Sequence, residues 1–108
     1  MNIHDVATRV FTDSAVWLRK REHILKRDNY ECQISKRYGK HIQAEMVHHI
    51  FPRSEFPQYA LNDWNLISLT LHQHQTLHGD GGELSAEGVR LLQKTAKKYG
   101  IDVPPQYR

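Results

Sequence analysis

The sequence has a single cysteine, Cys32, and it lacks any long apolar run. One thiol excludes an intramolecular disulfide, so no covalent cross-link holds the fold together. Without a stretch of about 18 or more apolar residues no helix can cross a membrane, and there is no apolar signal segment. These absences exclude a membrane partner, and we expect a cytosolic protein.

The chain is also too short for two domains. Its 108 residues support one hydrophobic core of modest size, so we predict a single domain over residues 1–108. Residues 1–13 show no strong hydrophobic period and are predicted to form an N-terminal arm. Residues 103–108 include two prolines and are predicted to be too short for another packed element.

Hydrophobic spacing predicts one helix near each end of the chain. Apolar side chains recur at helical spacing over residues 14–27 and over residues 83–100. Asp13 or Ser14 can cap the first helix and Ser85 the second, because a short polar side chain at this position accepts a bond from a free backbone N–H. We expect the following side chains of these helices to lie in the core: Trp17, Ile24, Leu25, Val89 and Leu92.

Between the two helices the sequence predicts a ββα arrangement over residues 30–78. The runs at 30–34 and 44–50 are short and partly alternating, so we predict a hairpin between them. The apolar run at 66–69 predicts a further strand. Residues 70–78 suffice for one small helix, which the following glycine-rich segment ends.

Four histidines and one asparagine form a spaced pattern in this middle segment. His48 and His49 are adjacent, Asn65 follows, and His74 and His78 stand four residues apart. Neighbouring side chains in a strand point to opposite faces, so His48 and His49 should have different roles. Side chains four apart on a helix share a face, so His74 and His78 are close enough to bind one ion.

This residue order resembles the HNH endonuclease family. The resemblance runs from Trp17-Leu18-Arg19-Lys20-Arg21 to Asn65-Leu66-Ile67-Ser68-Leu69 and His78. In detail the sequence looks most like the small stand-alone HNH proteins of phages and prophages. The resemblance implies an α+β fold with a small ββα-metal (His-Me finger) core between N- and C-terminal helices, and DNA as the substrate. Genes of such proteins often lie beside DNA-packaging genes, so it also implies the phage packaging machinery as a partner.

By carry-over from this family, His48 is a metal ligand and His49 is the general base that activates water. With His74 and His78, His48 would form a three-imidazole site that leaves positions open for the scissile phosphate and water. Imidazole ligands favour zinc, nickel or manganese. HNH enzymes often use magnesium, so the sequence leaves the divalent ion open among Mg, Mn, Ni and Zn.

Two further residues receive supporting roles. By the same resemblance, Asn65 orients the segment that carries His49, because an amide both donates to a carbonyl and accepts from a backbone N–H. Arg53 lies four residues after His49. We predict that it contacts a phosphate, since a guanidinium matches a pair of phosphate oxygens.

Positive charge is concentrated ahead of the histidines. Lys and Arg number 15 against 12 Asp and Glu, for a net charge of +3, which is compatible with nucleic-acid binding without indicating it. Basic clusters on a helix more often mark a solvated face than a binding groove, but beside a nuclease site the odds reverse. The predicted DNA-binding residues are Arg19, Lys20, Arg21, Lys26 and Arg27.

The sequence departs from the family at the positions of a structural zinc. Many relatives carry two Cys-x-x-Cys pairs, and the matching positions here are Cys32 with Ser35 and Thr70 with Gln73. With one thiolate left, we predict that the structural zinc ribbon is absent. The terminal helices or a homodimer interface must then supply the missing stability.

The sequence therefore predicts a metal-dependent DNA endonuclease, with several questions open. The alternative is a non-catalytic, metal-stabilised DNA-binding or phage packaging-accessory module, and a weaker one is a zinc-binding regulator without a nucleic-acid role. A monomer with one site would nick DNA, whereas a two-fold dimer would cut both strands. Sequence specificity and biological role are not indicated.

Overall fold

A two-stranded antiparallel sheet lies at the centre of the structure, a computed structural model in which residues 11–108 are described. Strand β1 (Met46–His49) pairs with β2 (Leu66–Leu69), and His48 lies opposite Ile67. All four residues of β2 are buried. A strand covered on both faces is built from a continuous apolar run, as at residues 66–69.

Helix α1 (Ala15–Arg27) covers one face of the sheet and confirms the first predicted helix. The Ser14 side chain accepts a bond from the Trp17 backbone N–H at 3.1 Å, and the helix ends at Asp28. Asp28 is buried, and its carboxylate accepts from the Ser68 backbone N–H at 3.0 Å. The end of α1 is thereby fixed to the middle of β2.

The predicted hairpin between residues 30–34 and 44–50 is wrong. Asn29 and Tyr30 both have positive φ values, 56° and 58°, so the chain turns sharply after α1. It then enters a short helix, α2 (Gln33–Arg37), and an isolated bridge between Glu31 and Gln43 is all that remains of the pairing. The segment at 44–50 instead supplies β1, whose partner is the more apolar β2.

Two helices follow the sheet. Helix α3 (Leu71–Thr76) is capped by Thr70, and α4 (Ala86–Tyr99) is capped by Ser85 and followed by Gly100 at φ 68°. The second agrees with the predicted helix over 83–100. Helix α3 is shorter than predicted, because the chain leaves the helix at Leu77. The next residue, His78, forms an isolated antiparallel bridge with Leu84.

The core consists of two apolar clusters on either side of the sheet. One lies under α1 and includes Trp17, Ile24 and Leu25, as predicted. The other lies between the sheet and α4 and includes Leu92, as predicted. Val89 was expected in the core and is only half-buried, because it lies beside the inward face of α4. The second cluster contains Cys32, Ile50, Phe51, Ile67, Leu69, Leu77, Leu91, Leu92 and Ala96.

The C-terminal residues pack on the protein, contrary to prediction. A 3₁₀ turn (Pro105–Tyr107) places Tyr107 against the second core cluster. The Tyr107 carbonyl accepts from Gln93 Nε2 at 2.7 Å, and its hydroxyl donates to Glu55. Burial and the Glu55 carboxylate raise the pKa of Tyr107 to about 12. The two prolines, which were expected to prevent packing, instead favour the backbone angles of this turn.

Most of the predicted arm lies outside the described residues, which begin at Phe11. Phe11 and Thr12 are helical, and the Phe11 ring packs at 5.2 Å from that of Trp17. Among residues 11–108 no helix is long and apolar enough to span a membrane. The cytosolic location expected from the sequence stays a prediction.

Candidate active site

Three imidazoles meet where β1 faces α3. His48 points from the middle of the sheet toward His74 on α3 and His78 just beyond it, with ring centroids 5.2 and 5.3 Å away. The structure therefore brings together all three predicted ligands. His78 does so from outside the helix, since the chain turns after Leu77 and carries the ring back toward His74.

The arrangement fits a divalent metal ion. One nitrogen from each ring lies within 4.8 Å of the others, and the Nε2 atoms of His74 and His78 are 3.1 Å apart. Nitrogens that bind one ion at about 2.0–2.1 Å lie at most about 4.2 Å apart. The 3.1 Å pair is within this limit, and the 4.8 Å bound on the remaining separations exceeds it by about 0.6 Å. In residues 11–108 this is the one group of three or more His, Cys, Asp or Glu side chains that could hold a metal ion.

An orphaned buried atom supports the fit. His48 is 4 % exposed, and its Nε2 has no hydrogen-bond partner among the described residues. A buried polar atom without a partner costs about 1–3 kcal/mol, which a metal bond would offset. A backbone hydrogen bond orients the His78 ring. Its Nδ1 donates to the Gly82 carbonyl at 3.1 Å, so Nε2 carries the lone pair that could bind the ion.

The electrostatics favour the neutral form of two of the three rings, His48 and His74. Burial, followed by the neighbouring rings of His74, His78 and His49, holds the pKa of His48 well below its usual value near 6.5. Burial and then His78 lower the pKa of His74. Since a metal binds the unprotonated imidazole, these shifts prepare the cluster for an ion at neutral pH.

His49 lies on the opposite face of β1 and is held separately. Its Nε2 is 3.0 Å from the Ala60 carbonyl oxygen, which can only accept, so Nε2 carries the proton and Nδ1 the lone pair. The ring stacks on Trp17 with centroids 4.9 Å apart. Burial is the main cause that lowers the pKa of His49, and the Arg53 charge adds to it. The ring is therefore a neutral base of fixed tautomer.

Asn65 is fully buried and bridges the ends of the loop after β1. Its Oδ1 accepts from the Phe51 N–H at 2.6 Å, and its Nδ2 donates to the carbonyls of Phe51 and Tyr59 at 3.2 Å. Ala60, which holds His49, directly follows Tyr59. Asn65 thus bonds the backbone next to the carbonyl that contacts His49, and the orienting role given to it stays a prediction.

The two imidazole environments open into one cleft of about 500 Å³. His48, His49, His74 and His78 line it together with two arginines, Arg21 and Arg53. The Arg53 guanidinium lies 4.5 Å from the centre of the Phe11 ring. A phosphate entering the cleft would meet positive charge from α1 and from the loop after β1.

The predicted DNA-binding residues have unequal environments. Arg19 and Lys26 are exposed on α1. Lys20 forms an ion pair with Asp63 at 2.6 Å. Arg27 bonds the Asp28 carboxylate and donates to the carbonyls of Asp63 and Leu66 at 2.7 and 2.6 Å. Arg27 therefore has a structural function that its place in a basic cluster did not indicate, while its contact with DNA stays a prediction.

The four positions that match the zinc-binding cysteines of relatives lie near one another. Cys32 is fully buried and its Sγ is 3.9 Å from Thr70 Oγ1. Bonds to Ser35 and Thr70 lower the pKa of Cys32, against the opposing effect of burial. Hydrogen bonds thus join Cys32 to Ser35 and Thr70, and the absence of a structural zinc stays a prediction.

Sequence reasoning missed the groups that orient the imidazoles. The carbonyls of Ala60 and Gly82 are backbone atoms, so residue type gives no signal for them. The rings of Trp17 and Phe11 against His49 were also missed. Trp17 was assigned to the core on its spacing, and the core and the cleft wall share this side chain.

Comparison with known proteins identifies the relationship. No protein-family model and no curated protein matches the chain. The crystal structure of the HNH endonuclease of the deep-sea thermophilic bacteriophage GVE2, solved with manganese ion, superposes with a TM-score of 0.62 and is 28 % identical in sequence. The match covers 89 % of this chain and 86 % of that one. The chain has the ββα-metal fold and is a relative of the HNH endonucleases.

Proposed function

We propose that this protein is a metal-dependent DNA endonuclease that hydrolyses phosphodiester bonds, and that residues 1–108 act as one domain. The observation that carries the proposal is the pairing, in one cleft, of a neutral His49 with a three-imidazole cluster whose buried His48 Nε2 has no hydrogen-bond partner in residues 11–108. A purely structural cluster would not need a separate base beside it.

In this proposal His48, His74 and His78 hold the divalent ion. Bound there, the ion would supply a positive charge that neutralises the scissile phosphate and the developing charge on the departing oxygen. The donor set suits Zn, Ni or Mn, and Mg remains a candidate. The GVE2 enzyme was solved with manganese ion, which makes manganese the first ion to test.

His49 takes the proton from water in the proposed reaction. The lone pair of the ring lies on Nδ1, because Nε2 donates its proton to the Ala60 carbonyl. As the proton moves to Nδ1, the water oxygen forms a bond to phosphorus and the bond from phosphorus to the 3′ oxygen breaks. Solvent returns a proton to the leaving oxygen.

The remaining residues position the substrate. Asn65 keeps the loop and the Ala60 carbonyl in place for His49. Arg53 lines the cleft and is proposed to contact the scissile phosphate. The basic side chains predicted to hold the flanking DNA are Arg19, Lys20, Arg21, Lys26 and Arg27.

The test is conversion of supercoiled plasmid by the purified protein with Mn, Mg, Ni or Zn in turn, and with chelator. We expect nicked or linear DNA with at least one ion, none with chelator, and loss of activity in His74→Ala. His72→Ala is the matched control, because this exposed histidine lies on the same helix without joining the cluster. The ratio of nicked to linear product also separates a monomer that nicks from a homodimer that cuts both strands.

The alternative is a non-catalytic DNA-binding or phage packaging-accessory module. The sequence feature that favours it is the loss of three of the four zinc-binding cysteine positions, which leaves Cys32 alone. Intact plasmid with every ion, together with salt-dependent DNA binding, would establish this alternative and reject the endonuclease.

A further inference from the structure

A second cleft, of about 530 Å³, lies away from the imidazoles. Its walls come from the ends of α1 and α2, from β2 and from α4. The two clefts have no lining residue in common, and β1 supplies residues to the imidazole cleft whereas β2 supplies Leu66 and Ile67 to this one. Each cleft is thus lined by a different strand of the two-stranded sheet.

Positive charge from three helices converges on this second cleft. Arg27 comes from α1, Lys36 and Arg37 from α2, and Lys94 and Lys98 from α4. The lining carboxylate is that of Asp28, which Arg27 already binds at 2.9 Å. Glu31 pairs with Lys36 at 3.5 Å. Within residues 11–108, Arg37, Lys94 and Lys98 form no ion pair.

Helix dipoles explain part of this pattern. Basic residues in the last turn of a helix are stabilised by its free carbonyl groups, and Arg37 and Lys98 both occupy last turns. Lys94 lies a turn earlier on α4 and gains nothing from this effect. Gathering like charges in one concave surface costs free energy in the isolated protein, so the arrangement fits an anionic occupant.

The aromatic residues of the wall favour nucleic acid over an acidic protein. Trp64 and Tyr99 line the cleft beside the cations, with ring centroids 5.9 Å apart. Tyr99 is 48 % exposed, and Lys98 Nζ lies 5.4 Å from its ring centre. Cations interleaved with accessible rings bind both the phosphates and the base faces of nucleic acids.

We infer that this basic cleft binds the phosphate backbone of DNA at a distance from the scissile bond. The inference rests on the proposed function, because it makes the cleft a second contact for the substrate of the same enzyme. The cleft adds binding free energy that is the same in the ground state and the transition state. Losing it therefore raises KM and leaves kcat unchanged.

The test measures DNA affinity in chelator, where cleavage cannot interfere. The variant Arg37→Gln/Lys94→Gln/Lys98→Gln removes three exposed charges from the cleft. The control Lys40→Gln/Arg90→Gln/Lys97→Gln removes three exposed charges that do not line it. Fluorescence anisotropy with a labelled duplex, and with a single strand of the same sequence, gives Kd at several salt concentrations.

We expect the cleft variant to bind the duplex about 10- to 100-fold more weakly than the control near 0.1 M salt. The slope of log Kd against log salt should be smaller by about 2 to 3, since each duplex phosphate contact contributes about 0.9. Equal affinity and slope in the two variants would overturn the inference. The inference would also be overturned if the cleft variant bound labelled poly-glutamate more weakly than the control while its affinity for DNA was unchanged. The cleft would then be a protein-docking surface.

A second measurement uses the unmodified protein and does not depend on variants that fold. DNA should protect Lys94 and Lys98 from acetylation, read by mass spectrometry, while Lys97 stays reactive. Equal modification of all three with and without DNA would contradict the inference. These binding results are independent of plasmid cleavage. The experiments can therefore reject DNA binding by the basic cleft without rejecting the endonuclease proposal, and the reverse.

Discussion

At the scale of single residues, the site depends on buried polar groups that satisfy one another. Asn65 makes three bonds to the loop after β1, and the Ala60 carbonyl fixes the tautomer of His49. The identities of the four histidines and Asn65 could be predicted from spacing and resemblance. The carbonyls that orient them could not, because every residue carries one and only the folded backbone selects which carbonyl faces a ring.

Replacing Asn65 with alanine should lower the free energy of unfolding by about 2–4 kcal/mol, because it removes three bonds and leaves the buried Phe51 N–H unsatisfied. Urea unfolding measures the change. Asn62→Ala is the control, since the Asn62 side chain forms no capping hydrogen bond to the 3₁₀ turn (Asp63–Asn65) that follows it. A loss for Asn65→Ala no larger than that of the control would refute the role given to the amide.

The metal-free protein should lose stability as pH falls below about 6.5. The pKa values of His48, His49 and His74 are lowered in the fold, chiefly by burial, so the unfolded chain binds protons first. Their contribution is fully present above the unfolded value near 6.5 and is lost as pH falls from there through the folded values. Thermal unfolding in chelator at pH 7.5 and pH 5.5 tests this. A Tm that is equal or higher at pH 5.5 would contradict it.

At the scale of elements, helix caps and apolar runs were predictable and strand pairing was not. Ser14, one of the two residues predicted to cap the first helix, and Ser85 both act as N-caps. The wrong hairpin came from treating residues 30–34 as extended, although the positive φ values at Asn29 and Tyr30 redirect the chain. Strand pairing depends on which apolar partner is available across the whole chain, and local patterns carry little information about it.

Gly88 on α4 gives an element-scale prediction with an unusual sign. Alanine normally stabilises a helix interior relative to glycine by about 0.5–1 kcal/mol. Here a Cβ would lie 2.3 Å from the backbone oxygen of Leu77, so α4 would have to move away from the turn that carries His78. We expect Gly88→Ala to destabilise the protein by about 1–3 kcal/mol in urea unfolding, with Lys97→Ala near neutral as the exposed control. A stabilised Gly88→Ala protein would show that this contact is not tight.

At the scale of the whole molecule, the two strands of one small sheet line two clefts of different chemistry. The imidazole cleft combines four histidines with two arginines, and the second cleft is lined by cations and aromatic rings. The overall fold class followed from the sequence because the family resemblance covers the first helix and the histidine segment, and hydrophobic spacing predicts the C-terminal helix. The second cleft could not be predicted from the sequence. Its cations Arg27, Arg37 and Lys94 are separated along the chain, and the packing of three helices brings them together.

The measurement that tests the central claim most directly compares plasmid cleavage by wild type and His49→Ala at matched manganese concentration, with the DNA affinity of both proteins measured in chelator. General-base catalysis contributes about 10²- to 10⁴-fold, so the account predicts a rate loss of that size in His49→Ala with an unchanged Kd for DNA. Cleavage by His49→Ala at the wild-type rate would contradict the assignment of His49 as the base, and with it the proposed mechanism.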